Sequence, residues 1–305
     1  MNTKDIIIFG KTSILAQNFV KNLKNSKTNL IYITRKQTSK NDILCNLGEN
    51  LTKNEINETV SKIVENTQYQ DKIAILFAWY GGPRNKDNIS DSSLKNINIV
   101  KNFINICKKI NPSQIIFISS AGAIYPQNIN YNFKEIDITA PSNKYGEEKL
   151  KGELLLKNFA DDLKFNLIIL RVSSAYGYDP RFSDQGVINK WIYSIKNNKK
   201  IQLYNSQSSL INFISFDQIS EAILLSIEKK LYGIFNIGTH RSITLHEIIE
   251  QIRLVTKKKI DYVMINNYQR NFNINVDKFH KKTGRIFRLN VINDIDRIYR
   301  LIMKN

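Results

Sequence analysis

Asp5-Ile6-Ile7-Ile8-Phe9-Gly10-Lys11-Thr12-Ser13-Ile14-Leu15-Ala16 is the stretch on which the reading of the fold turns. A short apolar, β-branched run that stops at a glycine reads as a buried strand. Leu15, Phe19, Val20 and Leu23 then recur at helical spacing. Strand, glycine turn and helix together form a corner suited to phosphate, because a helix N-terminus offers free N–H groups and a positive dipole end. Only Gly10 remains of the usual glycine fingerprint; Ser13 and Ala16 stand at the next two glycine positions, and both are small.

Outward from that corner the same alternation repeats. Strands are expected at 30–33, 42–47, 72–80, 115–120 and 167–171, with helices near 52–66, 90–110 and from Tyr145 onward, where Leu150, Leu154, Leu155 and Phe159 recur. Such alternation predicts an α/β fold, a Rossmann-type doubly wound parallel sheet with right-handed crossovers. Sites in that fold lie at the carboxyl ends of the strands. Gly10, Arg35, Asn46, Ala78, Ser120 and Val172 all fall at expected strand ends. From about 176 the pattern becomes less regular and richer in aromatics. It includes a helix opening at Gln185-Gly186-Val187-Ile188, short strands at 201–204 and 212–215, and a helix 217–229 with Asp217 as its N-cap. A helix 244–256 follows with Thr244 and Glu247 at capping-box spacing, then a last helix near 291–303. The expected organisation is a dinucleotide-binding domain over 1–175, with 212–232 returning to it, and a smaller C-terminal α+β substrate lobe over 176–211 and 233–305.

Composition narrows the class. The chain has 305 residues, 42% hydrophobic and 24% charged, which suits a globular protein with a full core. No apolar run is long enough to span a membrane, and the segment before Ile6 is too short for a signal-peptide core. Cys45 and Cys107 lie far apart without metal-ligand spacing, which points to buried thiols, a cytoplasmic location and no metal site. The net charge of +18 is spread along the chain among Asn and Ile rather than gathered into a basic block. Nucleic acid is therefore not the expected partner, whereas an anionic small substrate is favoured.

Thr34-Arg35-Lys36 follows the second strand with no acidic residue where a ribose 2′-hydroxyl would be bound, and two cations suit a 2′-phosphate: NADP, with NAD as the alternative. Tyr145 and Lys149 lie four apart, on one face of a helix. A phenol titrates near pKa ~10, and a neighbouring ammonium lowers it, so the pair is suited to proton transfer near neutral pH.

Taken together, Tyr145…Lys149, Ser119-Ser120…Ile124-Tyr125, Arg171…Tyr176-Gly177, Gln185-Gly186-Val187-Ile188 and Asn236-Ile237-Gly238 resemble the extended short-chain dehydrogenase/reductase family of sugar-nucleotide epimerases, dehydratases and 4-keto reductases, over about residues 5–250. The resemblance implies NAD(P) in the first lobe, held by Gly10, Thr12, Ser13, Ile14, Leu15, Thr34 and Arg35, by Asn46, Leu47, Phe77, Ala78, Trp79 and Asn98, and by Tyr145, Lys149 and Val172. It implies a nucleoside-diphosphate sugar in the cleft between lobes, met by Tyr125, Ser174, Gln185, Val187, Tyr204 and Arg270, and a homodimer through helices 90–110 and 145–160. In the implied chemistry Tyr145 transfers a proton, Lys149 holds the nicotinamide ribose and lowers the Tyr145 pKa, and Ser120 or Ser119 bonds the sugar oxygen.

This sequence departs from the family pattern in several places. Ala121 stands where the catalytic Ser or Thr is usual, and Ser174 stands where Asn is usual. Ile211-Asn212-Phe213 replaces Arg-Asp-Phe, which leaves Arg270 or Arg181 for the diphosphate. Gly122 and Ala123 occupy the positions of the dehydratases' Asp-Glu pair. The expected activity is NADPH-dependent reduction of the 4-keto group of a nucleoside-diphosphate 6-deoxysugar, for surface polysaccharides such as O-antigen. The alternatives are an NAD(P)-dependent 4-epimerase and a non-catalytic NADP-binding relative.

Overall fold

Ile6, Ile7 and Ile8 are each exposed by 1% or less, and the strand they form lies in the middle of a parallel sheet buried on both faces. Burying each such side chain contributes about 2 kcal/mol. The computed structural model describes residues 3–23, 27–82, 89–127, 131–180, 186–204, 206–265 and 270–304.

The chain begins β1 (Lys4–Phe9), α1 (Ile14–Asn22), β2 (Thr28–Thr34), β3 (Asp42–Leu44), α2 (Lys53–Glu65), β4 (Lys72–Leu76), α3 (Ile89–Ile110) and β5 (Gln114–Ser120). It continues α4 (Ala121–Ile124), β6 (Asn132–Phe133), α5 (Lys144–Leu163), β7 (Leu167–Val172), β8 (Ser174–Tyr176), α6 (Val187–Lys196), β9 (Ile201–Leu203), β10 (Leu210–Ile211), β11 (Phe213–Ser215) and α7 (Phe216–Glu228). The last elements are β12 (Gly233–Ile237), β13 (Ile243–Thr244), α8 (Leu245–Thr256), β14 (Tyr262–Met264), β15 (Asn273–Ile274), α9 (Asp277–Thr283) and α10 (Val291–Lys304).

A seven-stranded sheet runs β12-β7-β5-β4-β1-β2-β3. β1 pairs in parallel with β2 and β4, so the order reverses beside β1, the place where such sheets bind ligands. The Rossmann-type reading therefore holds, with Gly233–Ile237 as a further edge strand. The fourth strand is shorter than expected. It ends at Leu76, because Phe77 N and Ala78 N both donate to Phe9 O, at 2.9 and 2.8 Å, and the chain turns off the ladder there. The third stops at Leu44 rather than Leu47. Asp5 sits fully buried in β1 because it accepts from Asn29 Nδ2 and from the amides of Gln68 and Tyr69.

Two units divide the chain: Met1–Tyr125, Thr139–Arg171 and Ser220–Phe235 form one, and Pro126–Ile138, Val172–Ile219 and Asn236–Asn305 the other. The segment returning to the first is thus Ser220–Phe235 where 212–232 was expected, and Pro126–Ile138 leaves it. The core of the first unit gathers Ile7, Phe9, Phe103, Phe117 and Leu156. Cys107 lies fully buried in that core, which pushes its thiol pKa well up; Cys45 is only half-buried.

In the second unit Ile295, Ile298 and Ile302 of α10 pack with Trp191, Ile248 and Ile252. Tyr176 donates to Asp294, and Arg297 reaches Asp217 at 2.7 Å, so α10 is tied to β8 and to the first turn of α7. Burial first and the Asp294 charge second raise the Tyr176 pKa. Asp217 does not cap α7. Ser215 takes that place, its hydroxyl accepting from Gln218 N while Gln218 Oε1 accepts from Ser215 N. The expected capping box at Thr244 and Glu247 is present.

Candidate active site

Two close approaches set the geometry of α5. Asn143 caps the helix by accepting from Gly146 N at 2.9 Å. At Gly146 an ideal Cβ would lie 2.1 Å from the Ala123 carbonyl oxygen, so only glycine lets the first turn of α5 rest on α4. At Gly152 it would lie 3.1 Å from the Trp79 ring and 3.3 Å from Phe117. These contacts bring Tyr145 and Lys149 against the carboxyl end of β5.

The Ser120 hydroxyl neighbours the Tyr145 phenol. Burial pushes the phenol pKa up to about 12, the Glu148 charge adds to that, and Ser120 opposes it. Lys149 Nζ donates to the Ile118 carbonyl at 2.9 Å and lies 3.9 Å from the Trp79 ring centroid, 4.8 Å from Phe117 and 5.8 Å from Tyr145. Burial lowers its pKa to about 7, against the opposing charges of Glu153 and Glu148. The expectation that Lys149 lowers the Tyr145 pKa is corrected here. Desolvation dominates the phenol, and the ammonium is engaged by a carbonyl and two aromatic faces.

The two candidate hydroxyls divide. Ser119 Oγ donates to Glu153 Oε1 at 2.5 Å inside a buried network, so Ser120 alone faces Tyr145. In the same network Arg171 Nη2 donates to Glu153 Oε2 at 2.8 Å, and Nη1 donates to the Tyr125 hydroxyl at 2.9 Å. Tyr125, expected to meet substrate, is instead 0% exposed, because the buried guanidinium takes its oxygen and covers its ring. Ala121 is likewise fully buried, in α4.

Around Gly10 the expected strand, glycine turn and helix are present. Gly10 has φ +97°, its N–H donates to Ile33 O, and its Cα packs on Ala78. Ser13 caps α1 through its backbone, and Thr12, Ile14 and Leu15 are half-buried beside it. Thr34 is buried and bonds the Lys36 backbone, while the exposed Arg35 guanidinium lies 4.9 Å from the Tyr80 ring centroid. Tyr80 donates to Asn46 Oδ1, and Asn98 Nδ2 donates to Gly48 O, so these two asparagines hold the loop after β3. Leu47, Phe77 and Val172 are core residues, exposed by 4%, 6% and 4%. Trp79 Nε1 is a buried donor without a partner among the described residues, beside Lys149; an unpaired buried donor there fits a polar ligand.

Of the expected substrate residues in the second unit, Ser174 lies on β8 and Val187 begins α6. Tyr204 is exposed with its hydroxyl on Gln202, and Arg270 Nε donates to Gln127 Oε1 at 2.6 Å. Gln185 and Arg181 lie outside the described residues. Ile211, in the place of the family arginine, lies in the apolar core of the second unit, and Asn212, in the place of the aspartate, is fully buried and clasps Thr239.

Sequence reasoning missed Asn96, whose amide bonds both backbone atoms of Tyr80 and Glu148 Oε2, and it missed Glu153. It also missed Lys11, whose ammonium reaches Asp42 Oδ1 at 2.6 Å. The only advance signal was for Glu153, four residues after Lys149 on the same helical face.

Comparison with known proteins places this geometry. The "NAD dependent epimerase/dehydratase family" matches residues 6–238, more than half of the chain. The dTDP-4-dehydro-6-deoxyglucose reductase of Escherichia coli is 33% identical over 181 residues, 57% of this chain and 55% of that protein. The dTDP-D-glucose 4,6-dehydratase of Dictyostelium discoideum is 26% identical over 278 residues, 83% of this chain and 63% of that one. The chain thus spans less than two thirds of the length of either relative. Among solved structures, UDP-N-acetylglucosamine 4-epimerase from Methanobrevibacter ruminantium M1, in complex with UDP-N-acetylmuramic acid, superposes with TM-score 0.85 at 20% identity, over 100% of this chain and 99% of that one. Among the described residues no helix is long and apolar enough to cross a membrane. With the sheet, the Gly10 corner and the Tyr145–Lys149 helix in place, the chain belongs to the NAD-dependent epimerase/dehydratase family, of the extended short-chain dehydrogenase/reductase type.

Proposed function

We propose that this chain is an NADPH-dependent reductase acting on the 4-keto group of a nucleoside-diphosphate 6-deoxysugar, in the synthesis of surface polysaccharide. The observation that carries the reading is the placement of the Tyr145 phenol beside Ser120 at the carboxyl end of β5, with Lys149 one helical turn away and bonded to the Ile118 carbonyl. Reduction of a carbonyl needs a proton donor at the oxygen, and a protonated phenol is one. The nicotinamide supplies hydride when bound. Tyr145 gives the proton, Ser120 orients the sugar oxygen, and Lys149 holds the ribose by exchanging its bond to Ile118 O. Arg35, exposed on the Tyr80 ring after a strand without an acid, favours the 2′-phosphate of NADP over NAD. The similarity to the E. coli reductase supports the substrate class. In this reading the first unit carries the cofactor and the second the nucleotide sugar, in a cytoplasmic homodimer.

The test mixes the protein with NADPH and a dTDP-4-keto-6-deoxysugar and follows the near-ultraviolet absorbance of the dihydronicotinamide. Stoichiometric loss supports a reductase. Interconversion of C4 epimers without net loss identifies a 4-epimerase. Tight NADPH binding with no turnover across a panel of nucleotide sugars identifies a non-catalytic relative.

A further inference from the structure

Glu153 is 4% exposed, yet its one carboxylate joins three elements. On α5 it follows Lys149 by one helical turn. From β5, Ser119 donates to its Oε1 at 2.5 Å. From β7, Arg171 donates through Nε to both oxygens at 3.2 Å and through Nη2 to Oε2 at 2.8 Å. Arg171 then passes a bond to Tyr125, just beyond α4. Adjacent residues of β5 are thus stitched to α5 by neighbouring rungs: Ile118 O accepts from Lys149, and Ser119 donates to Glu153. Ser120, next in the chain, is the hydroxyl that neighbours Tyr145.

We infer that Glu153 is the positioning residue of this site, fixing the Ser120 hydroxyl against Tyr145 and supplying the counter-charge one helical turn from Lys149. The inference rests on the reading that Lys149, as an ammonium, holds the cofactor ribose. Lys149 is faced on α5 by Tyr145, Glu148 and Glu153, by Phe117 and the Ile118 carbonyl of β5, and by Trp79 beyond β4. Glu148 is held separately, by Ser93 and Asn96 of α3. Glu153 is the carboxylate that also reaches β5 and β7. Its charge works against the burial that depresses the Lys149 pKa. Arg171 balances that charge and lets the carboxylate remain buried.

The test is the dissociation constant of NADPH measured by fluorescence from mildly acidic to alkaline pH. In the wild type, affinity falls as Lys149 loses its proton. Glu153→Gln alone leaves a buried guanidinium uncompensated, so the informative variants are Glu153→Gln/Arg171→Met and Arg171→Met. The double variant removes the net negative influence, and its alkaline loss of affinity moves to lower pH by about one unit. Arg171→Met leaves Glu153 unbalanced and moves the loss to higher pH. Ser119→Ala keeps the charge and leaves the loss in place. Opposite shifts in the two Arg171 variants establish the role, because loosening of structure alone moves both the same way. Coincident pH profiles for wild type and double variant overturn the inference while leaving the cofactor reading intact. Absence of NADPH and NADH binding in the wild type overturns both.

Discussion

Replacing Gly10 by alanine tests the corner on which the sheet and the proposed cofactor site both depend. An ideal Cβ at Gly10 lies 2.4 Å from the Ala78 nitrogen, 2.6 Å from its Cα and 2.9 Å from its Cβ. All three atoms belong to Ala78, just beyond β4, where Phe77 N and Ala78 N donate to Phe9 O. Ordinary contact begins at 3.4 Å, so β1 and β4 must separate locally by about 1 Å (3.4 − 2.4). The φ of +97° adds strain of about 1–3 kcal/mol for a non-glycine residue. Overpacking adds about 1–3 kcal/mol, and weakening one of the two Phe9 bonds about 1 kcal/mol. The sum, about 3–7 kcal/mol, is a large part of a typical total of about 5–15 kcal/mol. Two controls isolate the causes. Gly233 has φ +94° with open space around it, so Gly233→Ala carries only backbone strain, about 1 kcal/mol at the low end. Gly82 has neither feature, and Gly82→Ala stays within about 0.5 kcal/mol. Urea unfolding of the three variants reads the order directly. Equal destabilisation at Gly10 and Gly233 would refute the close approach of β1 to the end of β4.

Three further outcomes are expected. Ser120→Ala lowers turnover by about 10²-fold, the scale of a lost transition-state hydrogen bond, with stability near wild type; Ser119→Ala instead costs about 1–3 kcal/mol in urea and changes turnover little. Asp42 is a buried carboxylate whose bonds from Lys11, Ser39 and Thr38 outweigh the upward push of burial and hold its pKa well below the usual range. A depressed folded pKa stabilises above the unfolded value near ~4 and loses that stabilisation as pH falls toward the folded one, so Asp42→Asn is destabilised by about 2–3 kcal/mol at neutral pH, and the gap to wild type closes below about pH 3. Arg35→Ala weakens NADPH binding about five- to tenfold and leaves NADH unchanged, measured by fluorescence titration.

The first unit was legible because its strands are unbroken apolar runs closed by glycine or hydroxyl residues, as β1 and β5 show. Strand ends gave a one-dimensional list of site residues, and the parallel order turned that list into one sheet edge. Two-residue strands such as β6, β10, β13 and β15 carry no periodicity and were invisible. β4 was overextended since Phe77, Ala78 and Trp79 continue its apolar run; only their amide partners end it. Leu154, read as part of the helical stripe, is 59% exposed, while the small Gly146 and Gly152 make the contacts that seat α5. The electrostatics of Tyr145 and Lys149 could not be read from spacing. Four residues of separation gives proximity, but desolvation and the Ile118 carbonyl decide the charge states, and both come from tertiary packing. Ser120 was preferred to Ser119 in the sequence reading, and the bond from Ser119 to Glu153 supplies the physical reason.

The most direct measurement is the rate of NADPH oxidation by Tyr145→Phe against wild type, with a dTDP-4-keto-6-deoxysugar at saturating NADPH, alongside the NADPH dissociation constant of each. The phenylalanine keeps the ring that packs near Lys149 and removes the proton donor. Loss of turnover by about 10²-fold or more with unchanged NADPH affinity is the predicted result. Near-normal turnover in Tyr145→Phe would contradict Tyr145 as the proton-transfer group.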